Sequence, residues 1–241
     1  MILINIYYLF YYTFVKKMTH KKPPKPNEYK LLLLGDTNVG KTSIFESFIK
    51  GTFKENQSAS IGVDFETKIF KYKNTNYTIH LYDTAGQERF RAITEGFYHF
   101  GKGYFIVFDL TNENSLNSVQ YWIDSIKEHS QVSKYVILGN KDDLKGKKIS
   151  DEIINNVLNK LKQSENNKNI IYLKTSAKKN KNITTAFETM IDLIENENNT
   201  QNEQEPEPEQ EHHLKANSNI KLDKNRHKKS KKEIARDKCG C

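Results

Sequence analysis

The stretch Leu31–Thr42, Leu-Leu-Leu-Leu-Gly-Asp-Thr-Asn-Val-Gly-Lys-Thr, joins an apolar run to a glycine-containing loop. Ile44, Phe45, Phe48 and Ile49 then recur at helical spacing as far as Gly51, which predicts a helix with a glycine C-cap. Gly35, Gly40, Lys41 and Thr42 satisfy the spacing G-x-x-x-x-G-K-[ST]. A strand, such a loop and a helix in that order bring main-chain N–H groups and a helix N-terminus to one point, where phosphate oxygens are held. Glycine permits the close approach of backbone to anion. On this pattern Gly35, Asp36, Thr37, Asn38, Val39 and Gly40 wrap the phosphates. Lys41 reaches the β- and γ-phosphates, the Thr42 hydroxyl binds Mg²⁺, and Ser43 extends the cradle into the helix. The alternative is a plain glycine turn between strand and helix, and the completeness of the context weighs against it.

The 241 residues predict one domain with extensions. The net charge of +8 is unevenly placed: Glu203–Glu211 is acidic and Lys215–Lys238 strongly basic. Cys239 and Cys241 are the only cysteines, so the core holds no disulfide, as suits a reducing compartment. Met1–Val15 is almost wholly apolar and aromatic, and Lys16 and Lys17 follow. Its length falls short of the roughly 20 residues of a spanning helix, and it lacks the basic leader and cleavage site of a signal peptide. Three readings stay open: a true start at Met18, a hydrophobic anchor, or disorder. The expected organisation is an extension over 1–28, a nucleotide-binding domain over 29–195 and a disordered tail over 196–241.

After Pro23, Pro24 and Pro26 the pattern predicts a strand at Tyr29–Leu34, then the helix, then a loop from Phe53 to Ser60. Val63–Tyr72 and Tyr77–Tyr82 are expected to form an antiparallel hairpin about Asn74-Thr75-Asn76. Gly103–Asp109 and Tyr135–Gly139 are continuous apolar runs of buried-strand type. Leu116, Val119, Ile123 and Ile126 mark a helix with Ser115 as its cap. Ser150, Asp151 and Glu152 open another, Ile170–Leu173 is a short strand, and Ile183, Phe187, Met190, Ile191 and Ile194 mark the last helix. Strands alternating with helices call for an α/β fold, a mostly parallel sheet covered on both faces. Ligands in such sheets sit at the carboxyl ends of the strands.

Three further motifs fall at strand ends. In Asp83-Thr84-Ala85-Gly86-Gln87-Glu88, Asp83 can hold the water shell of Mg²⁺. Gly86 can bring its N–H to the γ-phosphate, and Gln87 can orient an attacking water. In Asn140-Lys141-Asp142-Asp143, Asp143 offers two acceptors matching N1–H and the exocyclic amine of guanine. The Lys141 stem can lie on the base, and Asn140 ties loops together. In Thr175-Ser176-Ala177-Lys178, the Ala177 N–H can meet the guanine carbonyl. Singly, these are a plain turn, a solvated charged turn and a polar tetrapeptide; their order and spacing make the set specific.

With these motifs in place, the chain from Tyr29 to about Glu195 resembles a small GTPase of the Ras superfamily. Ser60-Ile61-Gly62-Val63-Asp64-Phe65, Gln87-Glu88-Arg89-Phe90-Arg91-Ala92-Ile93-Thr94 and the terminal Cys-Gly-Cys resemble the Rab branch. The resemblance implies a P-loop NTPase fold, with a mostly parallel six-stranded sheet, one antiparallel edge strand and helices on both faces. It implies GTP/GDP and Mg²⁺ as ligands, with Thr42, Ser60 and Asp83 at the metal. Lys41 and Gln87 would serve catalysis, and Phe53 and Lys178 would flank the base beside Ser176. Phe65, Tyr82 and Phe97 would form an aromatic effector surface, although core packing accounts for Phe65 and Tyr82 almost as well. Three departures stand out: Ser60 where threonine is usual, Tyr82 where tryptophan is usual, and Thr37 nearest the γ-phosphate.

The implied function is a GTP/GDP switch in vesicle trafficking that hydrolyses GTP slowly. No arginine is evidently placed to act in cis, so an activating protein is expected to accelerate it, an effect of about 10³–10⁵ in rate. Implied partners are an exchange factor, a GTPase-activating protein, a GDP-dissociation inhibitor, a prenylation escort and effectors, but no nucleic acid. The implied location is the cytoplasmic face of a membrane, with a cytosolic pool. Two rivals remain: a nucleotide-locked scaffold with little hydrolysis, which Thr37 and Ser60 support, and an ATP-using P-loop enzyme, which Asp143 opposes.

The tail is poor in apolar residues and cannot bury enough surface to fold. A flexible chain of about 45 residues spans on the order of 35–40 Å. Cys239 and Cys241 resemble a double geranylgeranylation signal, and stable anchoring takes two such signals. Lys228, Lys229, Lys231 and Lys232 add roughly 1 kcal/mol each near an anionic leaflet. Cys239→Ser with Cys241→Ser is expected to move the protein to the cytosol in fractionation with GTP binding unchanged. Retention on membranes would make Met1–Val15 the first suspect as anchor.

Overall fold

The computed structural model describes residues 27–55, 62–87, 91–132, 134–146, 148–164 and 170–202, with the backbone alone for 164 and 197–202. Met1–Val15, Ser60 and the terminal cysteines lie outside these residues, as do the readings made on them. The elements run β1 (Glu28–Leu34), α1 (Lys41–Lys50), β2 (Val63–Tyr72), β3 (Thr75–Thr84), α2 (Arg91–Glu95) and a 3₁₀ turn (Tyr98–Phe100). There follow β4 (Gly103–Asp109), α3 (Glu113–Asn117), α4 (Val119–His129), β5 (Tyr135–Asn140), α5 (Asp151–Ser164), β6 (Ile170–Lys174) and α6 (Ile183–Asn202). The six strands form one sheet in the order β2-β3-β1-β4-β5-β6. Only the β2–β3 pair is antiparallel.

The apolar runs are continuous because helices cover both faces of the central strands. Leu31 and Leu33 of β1 join Phe105 and Val107 of β4 in a core under α1 and α6. Leu32 and Leu34 point the other way and join Tyr104, Ile106 and Phe108 in a core under α4 and α5. Single-residue alternation along each strand thus builds two cores from one run of sequence. Gly103 is required by α6: a Cβ there would lie 2.2 Å from Met190 Sδ.

Parallel register sets the site. Leu33 pairs with Asp83, Asp109 with Asn140 and Gly139 with Lys174, so the motif-bearing strand ends share one rim. The chain leaves β1 toward β3 on one side and later returns past it to β4 on the other. The loop after β1 therefore sits where the strand order reverses, the usual crevice of open α/β sheets.

Three local details differ from the sequence expectations. The hairpin turns on Lys73-Asn74, with φ of 45° and 63°, and Thr75 already belongs to β3. A two-residue hairpin loop needs left-handed backbone at both positions to match strand twist, and Asn tolerates it. The single helix expected from Leu116, Val119, Ile123 and Ile126 with Ser115 as its cap is instead two, α3 and α4, parted at Ser118. The first of them, α3, begins at Glu113, capped by Asn112, whose side chain accepts from the Asn114 N–H. Ser115 is buried, and its hydroxyl accepts from the Asp109 N–H at 3.0 Å and donates to Asn112 O at 2.6 Å, so it sutures the exit of β4. The last helix runs on to Asn202, past the boundary drawn at Glu195. Gly51 (φ 68°) does cap α1, its N–H reaching Ser47 O.

Phe187 of α6 is fully buried, stacked on Phe48 of α1 and 4.7 Å from the Phe105 ring of β4, and so locks both helices to the sheet. Phe187→Ala is expected to cost about 3–5 kcal/mol, read from urea unfolding at fixed nucleotide concentration because bound ligand adds its own stabilisation. Ile153→Ala, at a partly exposed position of α5, should stay within about 0.5 kcal/mol of the parent.

Candidate functional site

A cavity of about 460 Å³ opens at the rim where these strand ends meet. Thr37, Asn38, Gly40, Lys41, Thr42 and Ser43 line it from the first loop, and Gly86 and Gln87 from the segment after β3. Asn140, Lys141 and Asp143 enter from the end of β5, Ala177 and Lys178 from the loop after β6, and Phe53 from the loop after α1. Residues from all four motifs thus face one space. Gly35, Asp36, Val39, Asp83 and Ser176 stand behind this lining and shape it.

The first loop is pressed down by contacts that only glycine allows. A Cβ on Gly35 (φ 140°) would lie 2.2 Å from Val107 O of β4. One on Gly86 would lie 2.5 Å from the Asp36 carbonyl carbon and from Lys41 Nζ. Lys41 is buried, and its ammonium donates to Gly35 O and Asp36 O, both at 2.8 Å. Burial pushes this lysine down to about 8, against the opposing pull of Asp83 and Asp36. A buried cation satisfied by two carbonyls is held ready for an anion of higher charge.

Thr42 Oγ1 donates to Asp83 Oδ2 at 2.6 Å, which places a hydroxyl and a buried carboxylate side by side beneath the loop. These are hard oxygen donors of the kind Mg²⁺ takes one or two at a time, the rest coming from water and phosphate. Among the described residues no group of three or more His, Cys, Asp or Glu forms a closed protein cage for a metal. The donor set therefore fits Mg²⁺ held jointly with a phosphate ligand.

At the opposite end, Asn140 is 2% exposed and ties the first loop to the segment after β6. Its Nδ2 donates to Val39 O at 3.0 Å, and its Oδ1 accepts from the Ala177 N–H at 3.2 Å and from Thr175 Oγ1 at 3.4 Å. The tie anticipated from sequence is thus present. The two adjacent aspartates have separate duties. Burial alone would raise Asp142, but hydrogen bonds from Lys181 and Lys148, at 2.6 and 2.9 Å, outweigh it and hold the carboxylate below its usual range. Asp143 instead faces the cavity, oriented by the Ser176 hydroxyl, which donates to its Oδ1 at 2.6 Å.

Lys141 has left-handed backbone (φ 67°), and its ammonium pairs with Asp109 Oδ2 at 2.7 Å. With its head anchored there, the stem lies along the cavity wall, as an apolar surface for a planar ring requires. Asp109 is itself fixed by the Thr111 N–H and hydroxyl, both reaching Oδ1. Sequence reasoning passed over Asp109, although an acidic residue at the end of a buried strand was the available signal. Lys54, Glu55 and Leu144 also line the cavity and were passed over. The Lys178 ammonium reaches Glu55 across the mouth and lies 5.9 Å from the centre of the Phe53 ring.

The expected effector trio separates by depth. Phe65 is 37% exposed, whereas Tyr82 and Phe97 are 0% and 3% exposed. The rings stack in series, Phe65 to Tyr82 at 4.9 Å and Tyr82 to Phe97 at 5.8 Å between centres. Tyr82 and Phe97 are core residues, and Phe65 alone presents the stack to solvent. The reason is the segment about the 3₁₀ turn, whose Phe97 and Phe100 rings pack against Tyr82.

The family model described as the Ras family matches residues 30–196. GTP-binding protein ypt1 of Schizosaccharomyces pombe is 36% identical over 163 residues, covering 67% of this chain and 77% of that protein. Ras-related protein RabC of Dictyostelium discoideum is 35% identical over 171 residues, 69% of this chain and 84% of that protein. Ras-related protein Rab-1A of the same organism is 36% identical over 170 residues, 70% and 81% of the two chains. A cavity built from four motifs at the rim of a six-stranded sheet, with a matching family model over the same residues, has one reading: the chain belongs to the Ras family and is a Rab-type small GTPase.

Proposed function

We propose that this protein is a membrane-directed switch whose cavity binds GTP or GDP and, with bound Mg²⁺, slowly converts the first into the second. The observation that carries this reading is the joint orientation of Asp143 by Ser176 and of the Ala177 N–H by Asn140 at one end of a cavity whose other end holds Lys41. An acceptor pair and a main-chain donor so arranged match guanine, while the loop amides and Lys41 match a polyphosphate. The arrangement favours a GTP hydrolase over an ATP-using enzyme.

In the proposed reaction, Lys41 and the N–H groups of the first loop draw charge from the β–γ bridge. Gly86 lies against Lys41 and lets the chain pass close to the γ-phosphate position. Gln87, at the cavity wall, orients the attacking water for in-line displacement. Thr42 and Asp83, joined by Ser60, would hold the metal, which supplies neutralisation of phosphate charge when bound. Thr37 is exposed and lines the cavity. Neither Thr37 nor the neighbouring contacts favour the nucleotide-locked scaffold.

Exchange factors, activating proteins, a dissociation inhibitor, a prenylation escort and effectors are the partner classes this switch requires. Among the described residues no helix is long and apolar enough to cross a membrane. Attachment is proposed at Cys239 and Cys241 as lipidation sites, on the resemblance of the terminal Cys-Gly-Cys to a double prenylation signal, with a cytosolic pool in the soluble phase of the cycle.

Asp143→Asn exchanges one acceptor for a donor and leaves a donor facing a donor, worth about 1–3 kcal/mol against guanine. In competition binding the variant should lose GTP relative to XTP by about tenfold or more; an unchanged preference would remove Asp143 from base recognition. Gln87→Leu should lower activator-stimulated hydrolysis by about a hundredfold or more, with GDP dissociation unchanged. An equal loss of GDP affinity would point to folding rather than water positioning.

A further inference from the structure

Trp122, the only tryptophan of the chain, belongs to none of the motifs and does not line the cavity. It sits on α4 and is 1% exposed. Its indole Nε1–H donates to Asp36 Oδ1 at 3.0 Å, across 86 residues of sequence. Asp36 is the hinge of the phosphate end: its carbonyl accepts from Lys41, and its main chain is the surface against which Gly86 packs. Above the indole lies Arg91, the first residue of α2, with its guanidinium 4.5 Å from the Tyr121 ring centre and 5.8 Å from that of Trp122. Arg91 Nε is buried and has no hydrogen-bond partner among the described residues, so ring stacking is what holds this end of the arginine. One aromatic side chain therefore touches the first loop on one side and the helix that follows Gln87 on the other.

We propose that Trp122 is a positioning residue for hydrolysis: it fixes Asp36, and through Asp36 the relation of Lys41 to the Gly86-Gln87 segment, while Arg91 couples the indole to α2. The assignment rests on the reading of the cavity as a GTP site. A hydrogen bond from a buried donor to a carboxylate is strong enough to matter for this alignment. The groups that read the base lie at the far end of the cavity and are held by Asn140 and Ser176.

Trp122→Phe keeps a ring in the core and removes the N–H together with part of the indole's volume, so the Asp36→Ala variant separates loss of the bond from loss of packing. Single-turnover GTP hydrolysis is expected to slow about three- to tenfold, with dissociation of a fluorescent GDP analogue within about twofold of the parent. Asp36→Ala removes the acceptor while leaving the indole packed, and serves if the tryptophan variant fails to fold. The double variant should be no slower than the slower single one, since both remove the same bond. In the parent chain, exchange of GDP for a non-hydrolysable GTP analogue should alter the tryptophan emission, and Arg91→Ala should abolish that change. Unchanged hydrolysis in both single variants, additive losses in the double, or emission insensitive to exchange would overturn the proposal. A parent chain that binds no guanine nucleotide would overturn the site reading itself, and the proposal with it.

Discussion

Asn140 is the point on which the cavity hangs. It lies at the end of β5, almost without solvent contact, and a buried amide must find partners for both its N–H₂ and its carbonyl. It finds them in two other loops: the first loop at Val39, and the segment after β6 at Ala177 and Thr175. The amide makes the position of the phosphate end and the position of the base end mutually dependent. The same geometry accounts for Gly40, where a Cβ would lie 2.3 Å from Asn140 Nδ2. The loop can approach the amide this closely only without a side chain.

Charge in the cavity is divided rather than pooled. The acidic groups nearest the rim are each given a lysine or a hydroxyl: Asp109 takes Lys141, Asp142 takes Lys148 and Lys181, and Asp83 takes Thr42. Lys41 is driven into the interior at the phosphate end, where two main-chain carbonyls satisfy it. A desolvated cation in that position favours an incoming anion strongly, because attraction between charges grows as water is excluded. Lys178 and Glu55, by contrast, are exposed, and a pair in water contributes little. The chemistry therefore concentrates at the phosphate end, and geometry at the base end.

The rigid part beneath this rim is the double-sided core. β1, β4 and β5 are buried on both faces, so any sideways slip of a strand would send one set of side chains into the wrong layer. Register is thereby pinned, and with it the alignment of Asp83, Asp109 and Asn140 along one edge. β2 carries no such constraint on its outer edge. The exposed Phe65 and Ile69 lie there, at the end of an aromatic stack whose inner members are core.

Much of this was legible in the chain itself. The apolar runs specified the inner strands because burial on both faces demands continuous hydrophobicity, and the glycine spacing specified the first loop because only glycine can make its contacts. Helix ends were legible where a local signal decides them, as at Gly51 and Ser150. The site residues could be named because each motif lies at the end of a recognisable strand. What the sequence could not supply was depth and pairing, since these depend on neighbours distant along the chain. It left Tyr82 open between effector surface and core and did not reveal that Phe97 is core, which follows from the packing of the Phe97 and Phe100 rings against Tyr82. Nor did it separate Asp142 from Asp143, which are adjacent and chemically alike until Lys148, Lys181 and Ser176 choose between them. The turn at Lys73-Asn74 was displaced because the register of β2 on β3, and not the residues of the turn, selects which two adopt left-handed backbone. The bond from Trp122 to Asp36 had no sequence signal at all, because packing of α4 against the sheet is what brings an indole to the phosphate loop.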